Sequence, residues 1–135
     1  MNYNLNYKMN LITNIKKSYK HIPYTFKHWK MVLKLEKKYI GYYKYPFHDL
    51  DKLFMYIFFP YLGTKIIQKI HTKFANHHLR KYKKHMNFDE AILDWESARF
   101  TKPDKPLDAW DTYQKYFTEF SNELLPIFEK FNLKH

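Results

Sequence analysis

Apolar side chains recur at helical spacing through the middle of the chain, and no segment shows the sustained period-two alternation of a half-buried strand. The clearest stripe lies in a helix predicted over 25–39, where steps of three, one, three and four residues place on one face His28, Met31, Val32, Leu35 and Tyr39. His28 is therefore expected to point into the core. A second helix is predicted over 48–59 and should end at Pro60, because proline does not fit a helix interior.

Three further helices are predicted downstream. A long basic helix is expected over 63–84, a stretch without proline. Asn87, followed three residues later by Glu90, resembles a capping box and predicts a helix over 88–100. The last helix should begin near Leu107 and be kinked or restarted at Pro126. The pattern thus predicts an all-α fold, a single compact helical bundle of about five or six helices, with 1–20 as a polar arm or short helix and 21–135 as one domain.

Composition narrows the class of protein further. Apolar residues make up 45% and aromatic residues 21% of the 135 positions, which is far too many for a disordered chain. The absence of cysteine excludes disulfides, thiolate ligands and a thiol nucleophile. The N-terminus lacks the apolar region of a secretory signal, and the most apolar run, 53–62, has half the length that a bilayer requires. A soluble cytoplasmic protein without a membrane partner is predicted.

Positive charge is concentrated in the first two thirds of the chain. Residues 1–88 hold 18 Lys and Arg against 3 acidic residues, whereas 89–135 hold 6 against 10. Such a field attracts phosphates, so a phosphate-containing small molecule, or nucleic acid bound through the Lys-rich region 65–84, is a candidate partner. An AT-rich genome, which favours lysine codons, explains the same composition equally well. Because nearly all the basic residues are lysine, sequence-specific DNA reading is not expected.

The residues with the most chemical information form the short run His48-Asp49-Leu50-Asp51-Lys52. An adjacent histidine and aspartate can place an imidazole nitrogen and a carboxylate oxygen on one divalent ion. Without cysteine the shell must consist of nitrogen and oxygen, which leaves Mn, Fe, Mg, Zn and Ni open, as one ion or two. Taken singly, each histidine is more often a hydrogen-bonded core residue or a solvated surface residue. A carboxylate on the flank of a helix, such as Asp94, is usually solvated as well.

The order of these residues gives them more weight than their number. A histidine, an adjacent His-Asp pair twenty residues later, further histidines and a later aspartate in an all-α domain resemble the HD-domain metal-dependent phosphohydrolases. More narrowly, 21–116 is similar to a group of small HD-like proteins of unknown function from phages and bacteria. The resemblance rests on His28 with Val32, His48-Asp49-Leu50-x-Lys52, His71, Asn76-His77-His78, Asp94-Trp95, Ala98-Arg99 and Pro106-Leu107-x-x-Trp110. That group usually has Ser where Asp51 stands.

The resemblance implies a set of site residues. A primary metal shell would consist of His28, His48, Asp49 and Asp94. A second ion would use His71 with either His77 or His78. Lys52 would donate to a phosphate oxygen and Arg99 would clamp a second phosphate, although a structural salt bridge is the alternative for both.

Three functions remain open at this point. The first is a metal-dependent phosphohydrolase, cleaving a phosphomonoester or phosphodiester of a nucleotide or related compound with a metal-bound water. The second is a non-catalytic HD-like module that binds nucleotide or nucleic acid through its basic face. The third is a small phage structural or partner-binding protein that uses the apolar seam of its last helix. The resemblance also implies a phage gene expressed in a bacterial host, and the oligomeric state stays open.

Overall fold

Helices form all the regular structure that the computed structural model shows in the residues it describes, which are 2–102, 104 and 107–134, with side chains from residue 8 onward. Six α-helices lie in these ranges: α1 Asn2–Tyr39, α2 Leu50–Phe58, α3 Thr64–Phe74, α4 Phe88–Thr101, α5 Ala109–Tyr116 and α6 Ser121–Phe131. Two short 3₁₀ helices, Pro60–Leu62 and Thr118–Phe120, precede α3 and α6. The predicted all-α class is confirmed. Pro103 and Pro106 lie outside the described residues.

The chain packs into two compact units. The first consists of residues up to Trp29 together with Phe47–Ala75, and the second of Lys30–Pro46 together with the residues from Asn76 onward. α1 supplies residues to both units, whereas α2 and α3 belong to the first and α4, α5 and α6 to the second. One domain over 21–135 stays a prediction. No helix in the described ranges combines the length and the apolar character that crossing a bilayer demands.

In the first unit, polar side chains fix the N-terminal half of α1. Ser18, fully buried, donates to the carbonyl of Pro60 over 2.8 Å, and the amide of Asn14 donates to the carbonyl of Tyr61 over 3.2 Å. The prediction of a polar arm or short helix over 1–20 is therefore wrong, because this stretch belongs to a 38-residue helix that continues through Pro23. Its inner face is partly polar, so hydrophobic periodicity did not indicate it.

The helix predicted over 63–84 is also shorter than expected. α3 ends at Phe74, and the next residue, Ala75, is extended with φ −73° and ψ 127°. Beyond it, in the second unit, Leu79 is buried and the backbone N–H of Asn87 donates to the carbonyl of Asn76 over 2.8 Å. These contacts stabilise residues 76–87 in a conformation that is not helical. The prediction of one continuous helix over 63–84 is therefore wrong, and His78 lies outside α3.

The second unit has an aromatic core that α4, α5 and α6 surround. Phe128 is fully buried and packs edge-on against Trp110, with ring centroids 5.2 Å apart. It also contacts the ring of Tyr113 in a tilted arrangement, with 5.4 Å between centroids. α4 agrees with the predicted helix over 88–100 to within one residue. The predicted last helix is instead divided at Phe117, while Pro126 lies inside α6. The core thus combines large rings from α5 and α6 with aliphatic side chains of α4 such as Ile92 and Leu93.

Candidate metal centre

Three segments of the first unit bring their histidines to one buried carboxylate. His28 comes from α1, His48 and Asp49 from the turn before α2, and His71 from the last turn of α3. All four side chains are buried, with no more than 8% of any residue exposed. Burial of so many titratable groups is costly unless they pair with one another or hold an ion. The sequence-predicted residues His28, His48, Asp49 and His71 therefore form one cluster.

The atoms of this cluster are spaced as ligands of one ion would be. Nε2 of His28 lies 3.2 Å from Nε2 of His48, and Oδ2 of Asp49 lies 3.3 Å from the first and 3.5 Å from the second. A point equidistant from these three atoms lies about 1.9 Å from each, close to the roughly 2.0–2.2 Å bonds of zinc to nitrogen and oxygen. The donor set and its spacing fit a divalent cation.

Asp49 has an unusual backbone conformation. Its φ of 58° and ψ of 8° lie in the left-handed region, at the N-cap of α2. This conformation is uncommon for a residue other than glycine, although Asp and Asn adopt it more readily than most. The carbonyl of Asp49 accepts the N–H of Leu53 over 3.2 Å, so α2 begins directly at the site. Helix α2 thus fixes the position of the carboxylate that the three histidines share.

The ring of His71 lies between two carboxylates. Nδ1 is 2.7 Å from Oδ2 of Asp51, and Nε2 is 2.9 Å from Oδ1 of Asp49. Burial alone would lower the pKa of His71, but the hydrogen bonds and charges of the two aspartates outweigh it and raise the pKa. Burial would raise the pKa of Asp51, yet its contact with His71 lowers it. No sequence pattern indicated this contact of Asp51, because its partner lies twenty positions later.

Aromatic rings line the same region. Tyr24, one turn before His28 on α1, stacks on its imidazole with 6.1 Å between centroids and 12° between planes. Tyr56 of α2 is fully buried and stacks on His21 at 5.4 Å. Lys52 is half-buried in the first turn of α2, and its backbone N–H bonds to the carboxylate of Asp51. Contact between Lys52 and a phosphate stays a prediction.

The other predicted site residues belong to the second unit. Nδ1 of His77 lies 3.1 Å from Oε2 of Glu90, and both residues are buried. The amide of Asn87 donates to the other oxygen of Glu90 over 3.0 Å, so the expected capping box is a bond between the two side chains. Glu90 was missed in the sequence because its spacing from Asn87 predicts a backbone cap. Its carboxylate instead fixes the ring of His77.

The remaining three predicted residues lie in this same unit. The ring of His78 lies 4.4 Å from that of His77, and Asp94 is half-buried on α4. Nη1 of Arg99 is 3.2 Å from Oε1 of Glu96, a residue only 2% exposed. This ion pair agrees with the alternative expectation for Arg99, which was a structural salt bridge instead of a contact with phosphate. Metal binding by His77, His78 and Asp94 stays a prediction.

No family model, curated protein or solved structure matches this chain. Its HD-like pattern is therefore a resemblance of residues, and function has to be argued from the geometry of the cluster.

Proposed function

We propose that this protein is a metal-dependent phosphohydrolase of the HD type that acts on the phosphate ester of a nucleotide or a related compound. The observation that carries the proposal is the triangle formed by His28, His48 and Asp49, whose ligand atoms lie 3.2–3.5 Å apart. Two imidazoles and a carboxylate leave open coordination positions on a divalent ion, as catalytic sites require. A structural site would be closed by protein ligands.

The chemistry follows from what each group can supply. A divalent ion at this site would lower the pKa of the water that it binds and would neutralise charge on a phosphoryl group. Asp49 supplies the negative charge that balances the ion, while His28 and His48 supply neutral nitrogen donors. Lys52, three residues after Asp49, would donate to a phosphate oxygen as charge develops there.

Phosphate is favoured as the substrate group by the charge of the first unit. Its sequence contains nine lysines and two acidic residues, and the two acidic residues are Asp49 and Asp51. Histidines aside, every other ionisable side chain of the unit that is charged at neutral pH is therefore a lysine. Such a distribution raises the local concentration of anionic substrates. A nucleotide or another phosphate ester meets this requirement, whereas a neutral ester does not.

The test is metal content and hydrolysis measured on the same samples. Wild-type protein should bind about one or two equivalents of a transition metal and release phosphate or a nucleoside monophosphate from a nucleotide panel in the presence of Mn²⁺. His48→Ala should lose both properties. His85→Ala is the matched control because His85 is exposed, and it should keep both. Absence of metal from the wild type after soaking with Mn²⁺, Fe²⁺ or Zn²⁺ would refute the proposal.

A second candidate function, binding of nucleic acid, is favoured by one feature of the second unit. A surface groove of about 470 Å³ is lined by Lys30, Leu33, Lys34, Lys37, Lys38 and Tyr43. Four ammonium groups and an exposed aromatic ring suit a phosphodiester backbone with a stacked base. This groove lies outside the Lys-rich region 65–84 that the sequence indicated.

The two basic surfaces can be distinguished by charge removal. If the groove binds single-stranded nucleic acid, converting its four lysines to glutamine should weaken binding and flatten the dependence of affinity on salt. Converting Lys65, Lys69 and Lys73 to glutamine should then have a small effect. The reverse result would favour the region 65–84. If both variants bind with the affinity of the wild type, neither surface binds nucleic acid.

A further inference from the structure

We infer that Asp51 is a positioning residue, which holds His71 so that Nε2 of its ring faces Asp49. Oδ2 of Asp51 lies 2.7 Å from Nδ1 of His71, and Nε2 on the opposite side of the ring lies 2.9 Å from Oδ1 of Asp49. The inference deepens the proposed function, because it adds His71 to the cation site with its orientation fixed. Asp51 itself would not touch the ion.

The hydrogen-bonding capacity of a carboxylate determines the tautomer. Ionised aspartate is only an acceptor, so Nδ1 of His71 must carry a hydrogen in order to bond to Asp51. With an ion bound beside Asp49, Nε2 carries no hydrogen and offers its lone pair to the ion, whereas without an ion Nε2 lies 2.9 Å from a carboxylate oxygen and carries a hydrogen as well. Histidines that bind metals commonly donate their second nitrogen to a carboxylate in this way, which fixes the ring and makes it a better ligand.

The positions of the two aspartates support a division of roles. The side chain of Asp49 is 4% exposed, whereas that of Asp51 is 49% exposed, although both contact a ring that is 1% exposed. Asp49 shares its Oδ2 with His28 and His48 and presents Oδ1 to His71. Asp51 contacts the same cluster only through Nδ1, from the solvent side. It is therefore placed to orient a ligand from outside the shell.

The alternative is that Asp51 binds the ion directly. Asp49, Asp51 and His71 can each offer one ligand atom within 4.8 Å of the others. The geometry favours a positioning role for Asp51, because its Oδ2 lies on the Nδ1 side of the His71 ring. An ion between Asp49 and Nε2 would lie across the imidazole from that oxygen. Substitution with asparagine distinguishes the two roles, since its carbonyl can accept from Nδ1–H but is a weak metal ligand.

The first measurement is metal affinity, by chelator competition with Mn²⁺ or Zn²⁺. If Asp51 is a positioning residue, Asp51→Ala should weaken metal binding about 10- to 100-fold, and Asp51→Asn should weaken it clearly less. Glu119→Gln, which removes one charge at an exposed position, should leave affinity unchanged. A loss in Asp51→Asn as complete as that in Asp49→Ala would overturn the inference in favour of direct ligation.

The second measurement needs no metal. Nitrogen chemical shifts of the His71 ring, recorded in metal-free protein, report which ring nitrogens carry a hydrogen. In the wild type Nδ1–H should donate to Asp51 and Nε2–H to Asp49. In Asp51→Ala the hydrogen on Nδ1 should be lost, while that on Nε2 is kept. An Nδ1–H that Asp51→Ala leaves unchanged overturns the inference. Failure of the wild type to bind metal would refute the proposed function, while the state of the ring would still decide the role of Asp51.

Discussion

Nε2 of His28 and Nε2 of His48 lie 3.2 Å apart and face each other, although twenty positions separate the two residues in the chain. Two ring nitrogens at this distance cannot both carry a hydrogen along the line between them. Without an ion, one must donate and the other accept. With an ion, both present lone pairs to it, as the nearby Oδ2 of Asp49 does. The two rings are therefore a preformed pair of nitrogen donors for a cation.

Metal binding should stabilise the folded protein. Because the ligand atoms are already spaced for an ion, a cation at 100 times its dissociation constant should raise the free energy of unfolding by about 2.7 kcal/mol. Denaturant unfolding with and without Mn²⁺ or Zn²⁺ measures the difference. His28→Ala should abolish it, whereas His85→Ala should preserve it. An equal stabilisation in His28→Ala would place the ion elsewhere.

Lys52 should affect turnover more than metal binding. If its ammonium group stabilises charge on the phosphate, Lys52→Met should lower kcat at least tenfold, which corresponds to about 1.4 kcal/mol of transition-state stabilisation. Metal content should stay at the wild-type level because Lys52 is not a ligand. The measurement is steady-state hydrolysis together with metal analysis of the same preparation. Lys69→Met, at an exposed position of α3, is the control, and equal kcat values in both variants would exclude the role.

Alkaline pH should destabilise the second unit through Tyr45. Burial raises the pKa of Tyr45, and so do its hydrogen bond and the charge of Asp89, whose Oδ1 lies 2.5 Å from the hydroxyl. A raised pKa in the folded state means that the stabilisation is complete below about pH 10 and is lost progressively above it. Urea unfolding between pH 8 and 11 should show this decline.

The matched variant is Tyr45→Phe. This substitution should lower the free energy of unfolding by about 1 kcal/mol at neutral pH, because the hydrogen bond is lost. Above pH 10 the stability of the variant should decline less steeply than that of the wild type. Lys44, whose pKa is also raised by its hydrogen bond to Asp89, adds a residual decline at still higher pH. An identical pH profile in Tyr45→Phe and wild type would contradict the assignment.

The hydrogen bond between Ser18 and Pro60 should stabilise the first unit. Ser18→Ala leaves the buried carbonyl of Pro60 without this donor, so we expect a loss of about 1–2 kcal/mol, partly offset by the better helix propensity of alanine. Chemical denaturation measures it. Asn10→Ala, at an exposed position of α1, should change stability by less than about 0.5 kcal/mol. Equal values for the two variants would mean that the bond contributes nothing.

Truncation of the aromatic core should be far more damaging. Phe128→Ala removes a fully buried ring that contacts Trp110 and Tyr113, so we expect about 3–5 kcal/mol of destabilisation. Tryptophan fluorescence during denaturation reports the transition because Trp110 lies in this core. Tyr116→Ala, at an exposed position in α5, should cost little. A loss below about 1 kcal/mol in Phe128→Ala would show that the ring is not packed as described.

The sequence predicted the helices whose inner faces are apolar. α4 was predicted almost to the residue because its stripe and its N-terminal Asn87 agree on where it begins. α1 was underestimated because Asn14 and Ser18 attach it through hydrogen bonds rather than through hydrophobic contact. The end of α3 was missed because tertiary contacts of residues 76–87, and not a proline or glycine, terminate it.

The site was predictable to the extent that it is local in sequence. His48 and Asp49 are adjacent, and periodicity places His28 on the inner face of its helix, whereas the grouping of the three as one metal shell followed from the resemblance in residue order. The contact between Asp51 and His71 depends on the left-handed turn at Asp49 and on how α3 packs, which single-residue patterns do not encode. For the same reason the carboxylate of Glu90 was not expected to be a buried partner of His77.

The left-handed backbone at Asp49 has a consequence for how this chain could be changed. Glycine adopts that conformation without a steric penalty and asparagine tolerates it, so either substitution would keep the turn and abolish the charge of the central carboxylate. The metal chemistry of this chain can thus be lost at position 49 through a single substitution that leaves the start of α2 intact.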